Sequence, residues 1–466
     1  MEKENKHLQP PDNKMRSMPM GRLLFSMALP LVLSMLVQAF YNIVDSIYVS
    51  QISESAVTSL SLAFPVQNLL IGFASGIAVG VNSLLSKSLG ENNGQRANQA
   101  AGNGIFLMLL AVGVFMLFGI FGSRPFFAMQ SQVEETVNGG TDYISICCIF
   151  SIGIFVEILG ERLLQASGRT IFTLFTQGTG AVLNIILDPL FIFGGFGIPA
   201  MGIAGAAVAT VIGQWVAAIM AVIFNLTCNP DVKFGLKFLR PRKDICLKIL
   251  AVGIPSIIMM AIGSVMTFGM NQILQGFTAL GETATGVFGI YFKLQSFVFM
   301  PLFGMNNACI SIIAYNYGAR QPKRITGPLK LTIGVALGVM ICGLLLFQLL
   351  PDVLLNVFNP SPTFLEMGRN ALRIISFHFP MAAIGIALGA SFQALGRGVY
   401  ATITSLSRQL IALLPAAWLL SLSGDVNLVW WAFPVAELVS LTATLILYRR
   451  LYRQVVKPMF AEEQAQ

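Results

Sequence analysis

Apolar runs long enough to cross a lipid bilayer recur along almost the whole chain, and no other feature restricts its fold so severely. The hydrocarbon layer is about 30 Å thick and an α-helix rises about 1.5 Å per residue, so one crossing takes about 20 mostly apolar residues. Lipid offers an open backbone no hydrogen-bond partner, so such runs cross as helices. Bounded by polar or Gly/Pro clusters, the runs predict helices near 22–50, 58–85, 98–121, 139–166, 171–194, 201–226, 248–275, 284–314, 326–350, 367–393, 400–422 and 428–449. Only 11% of the residues are charged, against roughly a quarter in soluble domains. The expected fold class is therefore an all-α polytopic membrane protein with twelve transmembrane helices. The residues before Arg22 are polar and of mixed charge, without the apolar core of a secretory signal, so the first span is expected to be retained.

Basic residues follow the topology. With the N-terminus inside, the inner segments carry Lys3, Lys6, Lys14, Arg16 and Arg22; Lys87 and Arg96; Arg169; six Lys and Arg between 233 and 248; Arg320, Lys323, Arg324 and Lys330; Arg397; and Arg449, Arg450, Arg453 and Lys457, whereas the outer segments hold chiefly Arg124 and Arg369. That asymmetry is the positive-inside pattern and predicts both termini in the cytoplasm, in the plasma membrane. It also accounts for the net charge of +8 without nucleic acid, which is not an expected partner. The predicted units are an N-terminal tail 1–21, an N-lobe 22–226, a linker 227–247, a C-lobe 248–450 and a C-terminal tail 451–466. The six cysteines show no CxxC spacing and read as reduced structural thiols. Two histidines, His7 and His378, are too few for a metal or haem site, and no cofactor is expected.

The two lobes are related by an internal repeat. Gln165-Ala166-Ser167-Gly168-Arg169 recurs as Gln393-Ala394-Leu395-Gly396-Arg397, and the same shift of 228 residues places Gln67 on Gln295, Gly76 on Gly304 and Gly90 on Gly318. Pro30 and Pro255 also correspond once a three-residue length difference is absorbed in a loop. Six helices per repeat bring the second lobe into the membrane in the same orientation as the first, a parallel repeat enclosing a central cleft. Prolines 30, 65, 189, 255, 301, 380, 415 and 434 fall within or at the ends of spans, where they read as kinks, or for Pro30 and Pro189 as hinges.

Acids left at membrane depth are Asp45, Glu157, Glu161, Asp188 and Glu437. Each costs at least about 2.5–3.5 kcal/mol at the bilayer centre, so a functional role is the first reading and an interfacial or structural position the second. Asn184 precedes Asp188 by four residues and shares its helix face, where its amide can bond the carboxyl. Glu157 and Glu161 share a face likewise, with a pairing of Glu161 to Arg162 as the alternative. Shifting by 228 residues puts Ala412 and Ala416 where Asn184 and Asp188 stand, and the seventh helix offers only Asn271 near the place of Asp45. Coupling-ion chemistry is thus expected to be concentrated in the N-lobe. In the C-lobe, Lys293, Arg373 and Arg408 read as snorkelling residues, with Lys293 alternatively repelling cations or pairing with Glu437. Phe and Met side chains are abundant enough to line an adaptable cavity for aromatic cations, although most serve the core or face lipid.

Several segments carry a family resemblance: LPLVLSMLVQAFYNIVDSIYVSQ in the first helix, GVNSLLSKSLGENN at the end of the second, QASGR after the fourth, LNIILDPLFIFG in the fifth and IAYNYGAR after the eighth. From about residue 20 to 450 the chain resembles the multidrug and toxic compound extrusion (MATE) transporters, in their MepA-like branch. The resemblance implies a V-shaped pair of six-helix bundles that exports organic cations against entering H⁺ or Na⁺. It makes Asp45, Asn184 and Asp188 the expected cation-coupling set. For substrate or proton handling the expectation adds Glu161, Gln38, Thr210, Glu157 and Glu437. Some relatives bind the cation through acids of the seventh and later helices; here the seventh has none, which argues against a C-lobe cation site.

The favoured expectation is a cation-coupled antiporter, H⁺ before Na⁺, that exports amphipathic and often cationic compounds as a monomer. A lipid-linked precursor flippase of the same superfamily is the alternative; that class carries extra helices and a strongly basic central cavity, whereas acids outnumber bases at membrane depth here. An enzyme would need a nucleophile-base cluster or a metal motif such as HExxH or GxSxG, and the sequence has neither.

Overall fold

The computed structural model describes residues 13–465 except 132, 196, 278–279 and 359–360; Lys3, Lys6 and His7 lie outside the described residues. Twelve spans form. They are α1 (Met20–Ser50), α2 (Glu54–Gly90), α3 (Gly94–Ala128), a two-armed α4 (Glu134–Ile149 and Ile152–Ala166), α5 (Ile171–Ile192) and α6 (Ile203–Cys228), followed by α7 (Lys243–Gln275), α8 (Gly281–Gly318), α9 (Lys323–Leu349), a two-armed α10 (Pro362–Ser376 and Phe379–Ala394), α11 (Gly398–Ser421) and α12 (Val426–Glu463). Ten are continuous, and the arms of α4 and of α10 each meet at 48°. Apolar side chains at many outward positions, such as Phe121, Ile186, Phe268, Leu349 and Ile446, remain exposed in the isolated chain, as a lipid-facing belt requires.

The 228-residue shift carries the backbone as well as the sequence. Asn92 (φ 55°) and Arg320 (φ 52°) occupy the left-handed region just past α2 and α8, and Gly168 (φ 81°) and Gly396 (φ 74°) do so past α4 and α10. The second pair explains the glycine of the Gln-Ala-x-Gly-Arg repeat, because a left-handed residue after a helix is tolerated best without a Cβ. The breaks, at Phe150–Ser151 and at Phe377–His378, fall within one residue of each other under this shift. Their causes differ. Pro380, at the second position of the distal arm of α10, cannot donate to the preceding turn. Its counterpart is Ile152, and in α4 the carbonyl of Phe150 instead accepts a hydrogen bond from Trp215 Nε1 at 3.2 Å.

Helices α2 and α8, 37 and 38 residues long, are about 55 Å each at a helical rise and hold the lobes together. Gly76 of α2 packs on Ile257 of α7, and Gly304 of α8 packs on Val32 of α1. Near the basic end the two long helices cross: a Cβ on Gly90 would overlap the carbonyl oxygen of Tyr315, and one on Gly318 that of Lys87. Buried hydrogen bonds run across the same seam, from Ser311 Oγ to Asn82 Oδ1 (3.1 Å) and from Ser83 Oγ to the Gln393 carbonyl (2.9 Å).

Chain ends and linker close over this seam. Met15 is wholly buried; its carbonyl accepts from Arg324 and Asn316 of the C-lobe, while Asn13 donates to the Ser167 carbonyl of the N-lobe. Burial and the nearby Arg169 guanidinium both lower the Lys14 ammonium from its ordinary value. The α6–α7 connection lies on α3, where Asn98 Oδ1 and Asn103 Oδ1 each accept a backbone N–H at 2.7 Å, from Lys233 and Arg242. At the end of α12, Glu462 and Glu463 pair with Arg320 and Lys323. The seam is therefore sealed at the basic end, and each lobe keeps its cavity nearer the other end.

Candidate functional site

The N-lobe cavity encloses about 350 Å³. Helix α1 supplies Gln38, Tyr41 and Asp45, α2 supplies Gln67 and Asn68, the distal arm of α4 supplies Glu157, α5 supplies Asn184 and α6 supplies Thr210. Asp188 lies just behind this wall, fully buried. The i,i+4 spacing acts as expected: Asn184 Nδ2 donates to Asp188 Oδ1 at 3.2 Å and stands 3.3 Å from Thr210 Oγ1. The carboxyl group of Asp45, brought from α1, lies beside that of Asp188.

This contact has a chemical requirement. Two carboxylates side by side in a poorly hydrated site repel each other strongly unless a proton or a cation lies between them. Asp45 Oδ1, Asp188 Oδ2 and Asn184 Oδ1 are buried and have no hydrogen-bond partner. The unpartnered atoms are thus all oxygen, which suits a proton or a hard monovalent cation.

Glu161 occupies a second layer. It is buried, with Oε1 accepting from Thr176 Oγ1 at 2.7 Å and Oε2 from Gln177 Nε2 at 2.8 Å. The alternative pairing with Arg162 is not what forms, because Arg162 Nη1 donates to Gln165 Oε1 at 2.9 Å. Gln177 itself lines the cavity, so Glu161 acts on the site by holding that amide.

A second cavity, of about 990 Å³, lies against the C-lobe and shares Phe64 and Asn68 with the first, so one stretch of α2 forms part of the wall of two adjacent chambers. Its walls are aromatic, with Phe288 edge-on to Phe292 and tilted against Phe433. Asn271, the counterpart proposed for Asp45, does face this chamber. One expectation is corrected here: the partner of Glu437 is Arg408, Nη1 to Oε2 at 3.6 Å, rather than Lys293. Arg408 therefore does not snorkel away to an interface; α11 contains a π-helical turn, Ser407–Leu413, that carries it along the chamber wall. Arg373 keeps the expected peripheral place, bonding the Gln348 carbonyl at the end of α9.

All the expected N-lobe residues come together: Gln38, Asp45, Glu157, Asn184 and Thr210 on the wall, Asp188 and Glu161 behind it. Glu437 belongs to the other chamber. Sequence reasoning missed Tyr41, Gln177 and the bond from Gln67 Nε2 to Tyr143 Oη at 2.8 Å. A signal for Gln67 existed, since the repeat aligns it with Gln295 and both glutamines face their lobe's cavity.

Relatives have the same architecture. The MatE family model matches residues 30–190 and 255–419. Multidrug export protein MepA of Staphylococcus saprophyticus is 24% identical over 92% of this chain and 93% of its own length. MepA of Staphylococcus aureus strain N315 is 25% identical over 92% and 94%. Among solved structures, a MATE protein in the straight conformation superposes with a TM-score of 0.90 at 21% identity, covering 96% of this chain and all of that one. A Pyrococcus furiosus transporter of the MOP superfamily, distinguished by the reverse polarity of its binding pocket, gives 0.89 at 22% identity, covering 97% and 99%. With both repeats matched, the twelve-helix fold shared and the acids gathered in one pocket, the chain belongs to the MATE family of multidrug efflux membrane transporters, which are not enzymes.

Proposed function

We propose that this protein exports amphipathic, often cationic organic compounds from the cell in exchange for an entering cation, H⁺ before Na⁺, by alternating access. The observation that carries the reading is the adjacent Asp45 and Asp188 carboxyls, set with Asn184 and Thr210 at a cavity that shares Phe64 and Asn68 with the C-lobe chamber. Carboxyls whose mutual repulsion requires a counter-cation can be satisfied by the coupling ion or by an organic cation in the adjoining pocket. Binding of either then lowers affinity for the other, and that reciprocal coupling is what antiport needs. The basic end, with both termini, is the cytoplasmic side by the positive-inside rule, so the sealed seam closes the path to the cytoplasm and the conformation faces outward. Named relatives that export drugs support the same substrate class.

The test is purified protein in proteoliposomes, loaded with a fluorescent organic cation under an imposed pH or Na⁺ gradient. Gradient-driven movement with the wild type, lost in Asp188→Asn at equal reconstitution, is expected. Unimpaired coupled export by that variant removes Asp188 from the coupling role. A flippase reading draws some support from the basic residues of the C-lobe chamber; translocation of a lipid-linked sugar precursor in the same liposomes, without cation export, would favour it.

A further inference from the structure

The C-lobe chamber has the wrong charge for an organic cation. Three formally charged side chains line it, and two are basic: Lys293 from α8 and Arg408 from α11, against Glu437 from α12. Glu437 is 4% exposed and committed to Arg408. Among the described residues no carboxylate lies within ion-pair distance of Lys293, whose side chain faces the cavity. The corresponding N-lobe positions, under the 228-residue shift, are Pro65, Gly180 and Ala209, so this charge set is no remnant of the repeat.

An ammonium at membrane depth is tolerable while water fills the chamber. Once an aromatic guest displaces that water, the charge either loses solvation or meets a counter-charge brought by the guest. A monocation there suffers like-charge repulsion as well. A carboxylate gains a charge-assisted hydrogen bond from Lys293, with the second guanidinium nitrogen of Arg408 on the same wall. The phenylalanine walls suit a flat aromatic body between the two ends.

We propose that Lys293 and Arg408 form a carboxylate-binding subsite, so that the preferred guests are aromatic zwitterions, with the cationic group toward Asp45 in the N-lobe and the anionic group in the C-lobe chamber. This rests on the export reading for its biological meaning, although the binding it predicts does not depend on coupling. It also gives the two adjacent chambers, which share Phe64 and Asn68 in their walls, distinct tasks.

Rhodamine B, a zwitterion with a free benzoate, and its ethyl ester, a monocation of the same skeleton, form a matched pair of probes. Their binding to purified protein is read by fluorescence polarisation. Wild type is expected to favour rhodamine B. Lys293→Gln should weaken rhodamine B by about tenfold, the scale of one lost charge-assisted hydrogen bond, and tighten the ester. Lys293→Arg should keep the wild-type preference, which a merely structural role would not require. Equal shifts for both dyes in Lys293→Gln, an unchanged affinity for rhodamine B, or no binding of rhodamine B by wild type would each overturn the subsite. Failure of the export reading looks different: both dyes bind with the expected preference, yet neither moves under any gradient.

Discussion

The two lobes are copies in backbone and opposites in chemistry. Helix order and left-handed residues recur at one offset and the bends fall within one residue of it, yet Asn184 and Asp188 face Ala412 and Ala416 across the repeat, and Glu157 and Glu161 face Gly385 and Gly389. The C-lobe in turn holds Lys293, Arg408 and Glu437 where the N-lobe has no charge at all. The difference teaches where each kind of constraint acts. Residues that close the seam, such as Gly90 and Gly318, must match because each helix sits in the other's groove. The charged residues of each cavity come from that cavity's own lobe, so one chamber can become acidic and small while the other becomes basic and wide.

The comparison breaks most sharply if acid can be moved between lobes. Asp45→Asn should abolish gradient-driven export in proteoliposomes, because the remaining Asp188 no longer needs a shared cation. Adding Ala416→Asp to that variant should not restore it, since the C-lobe position lacks a carboxyl on α7 and an amide equivalent to Asn184. Recovery of coupling in the double variant would mean that either lobe can host the ion.

Much of this was legible in the sequence, and the boundary between what was and was not is physical. Spans follow from local composition, and the Asn184–Asp188 bond from helical spacing, since both are properties of one segment. The meeting of Asp45 with Asp188 joins α1 to α5, and the Arg408–Glu437 pair joins α11 to α12; periodicity within a helix is silent about such encounters. The bends show the same limit. Pro380 announces one of them, but its twin in α4 depends on Trp215 from α6, and no local residue betrays it. The seal made by Met15, Arg324 and Asn316 is likewise a tertiary product of segments that read only as tails and loops.

A smaller effect separates the lobes by stability. Arg408→Leu strands a buried carboxylate, and solvent reaching the pair through the cavity brings the expected loss to about 1–2 kcal/mol rather than the full cost of a dry site. A lower Tm in detergent should result, and adding Glu437→Leu should restore most of it. If the double variant stays as unstable as the single, the arginine contributes by packing. Thr210→Val removes the hydroxyl beside Asn184 and should cost about 1 kcal/mol, a roughly fivefold weaker response to the coupling ion, with Tm nearly unchanged.

The finest distinction lies at two positions that the repeat makes equivalent. Gln67 donates to Tyr143, whereas Gln295 Oε1 is buried without a partner. Replacing a hydrogen-bonded amide by leucine forfeits about 0.5–1.5 kcal/mol, while replacing an unsatisfied one removes a desolvation cost and is neutral or stabilising. Gln67→Leu should therefore lower the Tm measurably, and Gln295→Leu should leave it level or raise it. Equal losses would show that Gln295 is held by a contact as strong as that of Gln67, and the two chambers would then be more alike in their polar framework than their charges imply.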